Sequence, residues 1–339
     1  MKKTIGWGIM ATGTIASKFC EGLKNLKDAE IIAVASRSLD RALAFSRKHG
    51  IKRAYGSYEE LLKDPEVDIV YIATPHNLHY EGAMLCLEAG KAVLCEKPFT
   101  LNAREAESLI RFARERKVFL MEAMWTRYLP AIIKVREWLE KGLIGEVRFL
   151  KADFGYRCTW DPEGRLLNPD LAGGALMDVG IYPVSFASMV YGSQPQSIKG
   201  LAHIGETHVD EQFAVLFGYG GGKIASLSGA VRTDFVNDAM IMGTHGRIHI
   251  PDFFYAKKAT LYTASGTEEY GPDFEGNGYH YEAAEAMRCL REGKLESSVM
   301  PLDETLAIMH TMDTIRSQWG LKYPGEKGSD EVSRDGINA

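Results

Sequence analysis

GWGIMATGTIA, residues 6–16, is the stretch that decides the fold. An apolar run opening at Ile5 leads into small residues and then into a segment of helical spacing. A turn that cradles a dinucleotide pyrophosphate reads G-x-G-x-x-G/A between a strand and a helix, and the matching positions here are Ala11, Gly13 and Ala16. The middle glycine, which lets backbone approach the phosphates, is present. Alanine at the first position tightens the turn that is required there. Ala11, Thr12, Gly13, Thr14 and Ile15 are therefore the expected phosphate-facing residues.

The surrounding pattern supports this reading. Short apolar runs at Ile5–Ile9, Ile31–Ala35, Ile69–Ala73, Ala92–Cys95 and Val118–Met121 alternate with amphipathic segments. One of these is Leu101–Lys117, where Asn102 and Glu105 have the spacing of a capping box. Continuous apolar strands alternating with helices imply a parallel sheet covered on both faces. Beyond about residue 124 the pattern changes. Val147–Phe154, Ile198–Ile204, Gln212–Tyr219, Lys223–Val231 and Ala239–Ile250 read as longer strands linked by hairpins, with late helices at Tyr279–Arg291 and Leu302–Trp319. The expected architecture is α/β: a Rossmann-type dinucleotide-binding domain over residues 1–124, and an α+β domain with an open, mainly antiparallel sheet over 125–339. The tail from Gly325 is polar.

Composition sets bounds. The chain has 339 residues, 45% hydrophobic and 25% charged, with a formal net charge of −5. Nothing in that balance calls for nucleic acid or an anionic membrane as a partner. No apolar run approaches the roughly 18–20 residues of a membrane helix. The basic, then apolar, N-terminus turns into a glycine-bearing strand without a small-residue cleavage site, so it is read as structure and not as a signal. Five scattered cysteines without a CxxC pair suit reduced thiols and a cytoplasmic protein.

The second strand ends in Ala35-Ser36-Arg37-Ser38. An NAD site places a carboxylate near here for the ribose 2′-hydroxyl. A guanidinium flanked by hydroxyls suits a 2′-phosphate instead, so the expected cofactor is NADP(H), held by Ser36, Arg37 and Ser38. The alternative gives the acidic role to Asp40, beyond the strand end. IATPHNLHY, residues 72–80, follows the third apolar run of this half, at the carboxyl edge where ligands of open α/β sheets bind. Thr74, Pro75, His76 and His79 are expected at the cofactor. His76 and His79 have a chelating spacing, as do His245 and His249, but no cysteine or carboxylate cluster accompanies either pair, and no metal is expected.

VLCEKPFT, residues 93–100, ends a buried strand with Glu96-Lys97-Pro98. An ammonium at the carboxyl end of a parallel strand falls beside the expected nicotinamide. GGALMDVGIYPV, residues 173–184, brings Asp178 and Tyr182 at i, i+4, on one face if helical. A free tyrosine, with a pKa near 10, is a poor base at neutral pH. An ammonium ~4 Å away, at an effective dielectric of ~20, contributes about 4 kcal/mol, enough for a shift of about two units after screening. Lys97 and Tyr182 thus form a proton-transfer pair, with Asp178 orienting one of them or the substrate.

ATGTIA, ATPHNLH, CEKPFT and GGALMDVGIYP occur here in the order and spacing of the Gfo/Idh/MocA oxidoreductases, which the chain resembles over nearly its whole length. By position, that resemblance implies Lys97, Asp178 and Tyr182 as the catalytic set and adds Glu96 and Trp125 to the cofactor side. Tyrosine at 182, where many members carry histidine, together with MEAMWTRYLP (residues 121–130), is similar to the branch of dihydrodiol and NADP-dependent D-xylose dehydrogenases. The resemblance implies a sugar or trans-dihydrodiol as substrate, met by Lys97, Trp125, Arg127, Phe154, Asp178, Tyr182 and Tyr279. It also implies a homodimer formed through the open sheet. A nucleotide-sensing regulator on the same fold, or a ketosugar reductase working in the opposite direction, are the other readings. A regulator has no use for Lys97, Asp178 and Tyr182 together.

Overall fold

The computed structural model describes residues 4–192, 194–273 and 276–326, so the polar tail from Gly325 lies almost wholly outside the described residues. The first half of the chain runs β1 (Ile5–Met10), α1 (Thr14–Leu23), β2 (Ala29–Ala35), α2 (Leu39–His49), β3 (Arg53–Tyr55), α3 (Tyr58–Leu62), β4 (Ile69–Ile72), α4 (His79–Glu88), β5 (Ala92–Glu96), α5 (Ala103–Arg116) and β6 (Leu120–Ala123). The six strands form one parallel sheet in the order β3-β2-β1-β4-β5-β6. The central strands β1 and β4 are apolar throughout because both faces are covered. Trp7, Ile9 and Tyr71 pack on one side with Phe19 of α1, while Met10, Val70 and Ile72 join a second core on the other. Strand order reverses between β1 and β4, which opens the crevice at their carboxyl ends where ligands of such sheets lie.

Helix α5 begins as its sequence indicates. The Asn102 side chain accepts the Glu105 N–H at 3.0 Å, while the Glu105 carboxylate reaches back one residue further than in a standard capping box, to the Leu101 N–H. Strand β3 has no apolar signature. It is fixed by side chains: Arg53 and Tyr55 both donate to Asp64, at 2.8 and 3.0 Å.

The second half runs α6 (Pro130–Glu140), β7 (Val147–Gly155), α7 (Ile181–Tyr191), β8 (Ser197–Ile204), β9 (Asp210–Tyr219), β10 (Lys223–Ala230), β11 (Ala239–Gly243), β12 (Gly246–Ile250), β13 (Ala259–Thr263), β14 (Gly266–Tyr270), α8 (Tyr279–Arg291) and α9 (Leu302–Trp319). Its eight strands are ordered β14-β13-β12-β11-β7-β10-β9-β8. All neighbours are antiparallel except β7 and β10, which run parallel. Residues 239–250, expected as one strand, are two. The N–H groups of Thr244 and His245 turn aside to the carbonyls of Glu146 and Ile144, which breaks the ladder between β11 and β12. The β13–β14 hairpin was not expected; its outer strand is almost wholly exposed and carries no alternation. Residues 169–191 are long and apolar enough to resemble a membrane span by composition, but 83% of that window is buried inside the protein as core.

Candidate active site

A groove of about 1670 Å³ follows the carboxyl edge of the parallel sheet and continues under the antiparallel one. At its nucleotide end, Ala11 adopts φ +85°, the left-handed conformation that the turn demands, and its N–H donates to Ala35 O. A β-carbon is strained there, as the alanine at this position foretells. Gly13 has an ordinary φ of −75°, and a β-carbon built on it would meet no protein atom within 4 Å. Its lack of a side chain therefore serves open space in the groove, the space a pyrophosphate would take. Gly13 is also the N-cap of α1 and provides no side-chain acceptor, and the first turn carries no acid. The leading N–H groups of α1 are thus left for an anion. The Thr74 hydroxyl is buried in the same groove without a hydrogen-bond partner. These features fit a dinucleotide.

Beyond the turn the groove is lined by Ser36, Arg37 and Ser38, by Arg41 in the first turn of α2, and by Tyr58. Asp40, the acidic alternative, is exposed in the first turn of α2 and does not line the groove. Pro75, His76 and His79 close the other wall. His79 is wedged between the carbonyls of Pro98 (2.8 Å) and Thr74 (3.0 Å), tying together the loops after β5 and β4. Burial lowers its pKa to about 4, so the neutral ring donates to one carbonyl at a time. His76 Nδ1 lies 3.3 Å from the Ala172 carbonyl. Both rings are engaged by backbone, and among the described residues no cluster of His, Cys, Asp and Glu is arranged to hold a metal.

The three residues singled out for chemistry converge. Lys97, at the end of β5 and followed by a cis bond to Pro98, donates to the Asp178 carbonyl at 2.7 Å. Its Nζ lies 3.4 Å from Asp178 Oδ1 and 4.7 Å from the centroid of the Tyr182 ring. Asp178 sits in a single wide π turn, Leu176–Gly180, that feeds α7, so the expected regular helix is locally unwound. Such turns recur at functional sites because they re-aim side chains. The N-terminus of this turn is fixed by Asp210, whose carboxylate accepts the Leu176 N–H at 2.6 Å.

Electrostatics divides the roles. Burial, the largest influence on Asp178, raises its pKa, but Lys97 and Arg165 outweigh it and hold the carboxyl well below the usual range. Tyr182 goes the other way. Burial, then the Glu96 carboxylate, push its phenol well above 10, so the attraction expected from Lys97 does not prevail in the free protein. The ammonium lies over the ring as a cation–π contact. Tyr182 Oη accepts the Trp125 indole N–H at 3.0 Å, which leaves the hydroxyl's own proton for a partner in the groove.

The apolar wall is built from Trp125 stacked on Tyr279 (centroids 4.8 Å apart) and Phe154 stacked on Phe254 (4.0 Å). Of the residues expected from sequence at the catalytic, cofactor and substrate positions, Arg127 alone does not line the groove. It is 3% exposed and bound to Glu304 and Ser185, at 2.7 Å to Glu304 Oε1, so it clamps its turn to α9 and α7. Sequence reasoning missed Tyr156 and Arg165, which donate to Asp178 at 2.7 and 2.6 Å, and it missed Phe254. Tyr156 and Arg165 come from the long irregular segment after β7, which has no periodicity to read.

With this geometry in hand, comparisons with known proteins are specific. The profile of an oxidoreductase family with an NAD-binding Rossmann fold, GFO/IDH/MocA, matches residues 5–124, and that of the GFO/IDH/MocA C-terminal domain matches 132–249. The chain is 40% identical over 332 residues to trans-1,2-dihydrobenzene-1,2-diol dehydrogenase of Mus musculus, covering 95% of this chain and 98% of that one. It is 40% identical over 331 residues to the Homo sapiens protein of the same name, with the same coverage. Among solved structures it is similar to a 3-ketoreductase from Actinomadura kijaniata in complex with NADP and TDP-benzene (TM-score 0.81, 26% identity, 93% of this chain and 97% of that one). It also shares its fold with an aldose-aldose oxidoreductase from Caulobacter crescentus (TM-score 0.85, 22% identity, 94% and 98%).

Proposed function

Because the chain belongs to the GFO/IDH/MocA oxidoreductase family, we propose that it moves a hydride between NADP(H) and a hydroxyl-bearing carbon of a trans-dihydrodiol or sugar. The observation that carries this reading is the convergence of Lys97, Asp178 and Tyr182 at one end of a groove whose other end suits a dinucleotide. The nicotinamide supplies or receives the hydride. Tyr182 gives a proton to, or takes one from, the reacting oxygen. Lys97 supplies positive charge over the phenol ring and beside the substrate hydroxyl. Asp178 positions the substrate and holds Lys97, and Arg165 and Tyr156 in turn hold Asp178. The cofactor assignment is supported by Ser36, Arg37 and Ser38 after β2 and by Arg41 in α2, which line the groove where Asp40 does not. The stacked aromatic walls favour a planar, unsaturated ring diol over a wholly hydroxylated sugar, in line with the names of the relatives at 40% identity. Residues 1–124 and 125–339 act in this reading as cofactor and substrate domains.

The test is a cofactor-reduction screen with NADP⁺ and NAD⁺ side by side over aromatic trans-dihydrodiols, pentoses, hexoses and inositols. NADP⁺ reduction with a dihydrodiol as best substrate is expected. A flat response to every hydroxyl donor would leave only a nucleotide sensor.

The open face of the antiparallel sheet presents Leu201, Leu216 and Ile224, on adjacent strands β8, β9 and β10, at 83, 52 and 40% exposure. Apolar side chains clustered on an uncovered sheet face are suited to a second copy of the chain. We expect sedimentation velocity to give a dimer and Leu201→Glu/Leu216→Lys to give a monomer with its fold intact; unchanged mass in the double variant would rule this face out. All five cysteines are free, four of them buried, as suits a cytoplasmic enzyme.

A further inference from the structure

Helix α8 sends Tyr279 into the groove wall and, one turn later, Glu282 into the protein interior. Glu282 has no exposed surface, and neither carboxyl oxygen has a hydrogen-bond partner. It does not line the groove. Its electrostatic neighbour is Glu96, the residue before Lys97, which is itself 4% exposed. Glu96 is well provided for: one oxygen accepts the Tyr71 hydroxyl and the other the Lys97 N–H at 3.0 Å. A buried carboxylate lacking any donor, next to a second carboxyl, is not sustained as an anion. The asymmetry of partners says which member is neutral: Glu96 keeps the charge and Glu282 the proton.

We propose that Glu282 is a buried, protonated acid beside the ionised Glu96, and that it is a positioning residue which leaves the phenol of Tyr182 able to release its proton. The proposal rests on the proton-transfer role given to Tyr182 and Lys97 above. The groups facing Glu282 can be named element by element. Tyr71 comes from β4, Glu96 from the end of β5, Tyr128 from the turn after β6, Tyr182 from α7 and Tyr279 from α8 itself. An ionised Glu282 would bear on the phenols of Tyr71, Tyr128, Tyr182 and Tyr279, in each case to raise them. Loss of its proton would leave two buried anions, Glu96 and Glu282, acting on Tyr182. The single nearby ammonium of Lys97 is already engaged with Asp178, so the phenol could no longer release its proton, and alcohol oxidation would stall on the alkaline side.

The test uses Glu282→Gln, an isostere that cannot ionise, and Glu282→Leu as a second non-ionising variant. Glu122 and Asp210 are also fully buried carboxyls with raised pKa values of about 7, so the reading is the wild-type-minus-variant infrared difference at neutral pH, which should show the carbonyl stretch of one further protonated carboxyl for both variants. The kcat/KM of oxidation at about pH 9 relative to pH 7 should rise roughly tenfold over wild type, one pH unit of displacement of the alkaline limb. The stability of Glu282→Gln relative to wild type should grow as pH rises above about 4.5. The raised group keeps a proton in the fold that the unfolded chain releases there, so wild type is progressively penalised. A difference spectrum without that band for both substitutions would overturn the protonated Glu282. The band together with superimposable pH profiles would overturn the positioning role. The infrared and stability readings need no turnover, so they stand or fall separately from the assignment of Tyr182.

Discussion

Tyr182→Phe is expected to lower turnover by about 10²- to 10⁴-fold, the range for removing a positioned acid or base, while NADPH binds nearly as in wild type. The hydroxyl accepts from Trp125 and keeps its own proton for the groove, and its surroundings set the direction in which it works best. Burial and the Glu96 charge hold the phenol protonated through neutral pH, so in the proposed mechanism it is poised to donate, as carbonyl reduction requires. Oxidation needs the phenolate, whose fraction grows tenfold per pH unit below its pKa. The oxidative rate should therefore climb with pH where the reductive rate is flat, and the phenylalanine variant should lose that slope along with its turnover. The substitution also strands the buried Trp125 N–H, at about 1–3 kcal/mol. Thermal unfolding and NADPH titration of the variant separate that modest structural loss from the chemical one. Wild-type turnover in the variant would remove Tyr182 from the proton step.

How much of this was readable beforehand depended on whether a feature is local. Ala11, Gly13 and the apolar run before them announce strand, turn and helix because each constraint acts within a few residues. The same holds for Asn102 and Glu105 at the start of α5. Lys97 and Tyr182 could be paired because each lies in a motif whose place on the fold is fixed by its own strand or turn. Arg127 was misjudged because its partner, Glu304, lies 177 residues further on, and a cation beside Trp125 looks alike in sequence whether it faces a ligand or a buried carboxylate. Arg165 and Tyr156 went unseen for the opposite reason: they reach Asp178 from irregular backbone, where spacing carries no direction. The π turn at Leu176–Gly180 escaped because a widened turn has the same i, i+4 pattern as a regular helix, and it takes the Asp210 cap from β9 to hold its start in place.

Asp178→Asn should show that the carboxylate is the keystone of the charged cluster. Its side chain is 7% exposed and takes Arg165 and Tyr156 at 2.6 and 2.7 Å, with Lys97 Nζ at 3.4 Å. Asparagine keeps the volume but removes the charge, and its amide nitrogen turns a donor toward one of these donors. Breaking a fully buried ion pair costs about 3–5 kcal/mol. Arg165 is 46% exposed and can turn to water, so about 1–3 kcal/mol of stability is expected here, falling chiefly on Lys97, at 12% exposure. The sign with pH is fixed by linkage. A carboxyl held well below its ordinary value contributes stability that is complete above about pH 4, the unfolded value, and is lost as pH falls toward the folded one. The stability gap between wild type and Asp178→Asn should therefore be constant through neutral pH and close in acid. Activity should fall further than stability implies, by about 10²-fold or more in kcat/KM, because a misaligned ammonium and an unheld substrate hydroxyl both act on the reacting geometry. A variant whose stability gap is independent of pH down to about 2 would mean that Asp178 is not ionised in the fold, and the arrangement of Lys97, Arg165 and Tyr156 around it would have to be explained without a charge at its centre.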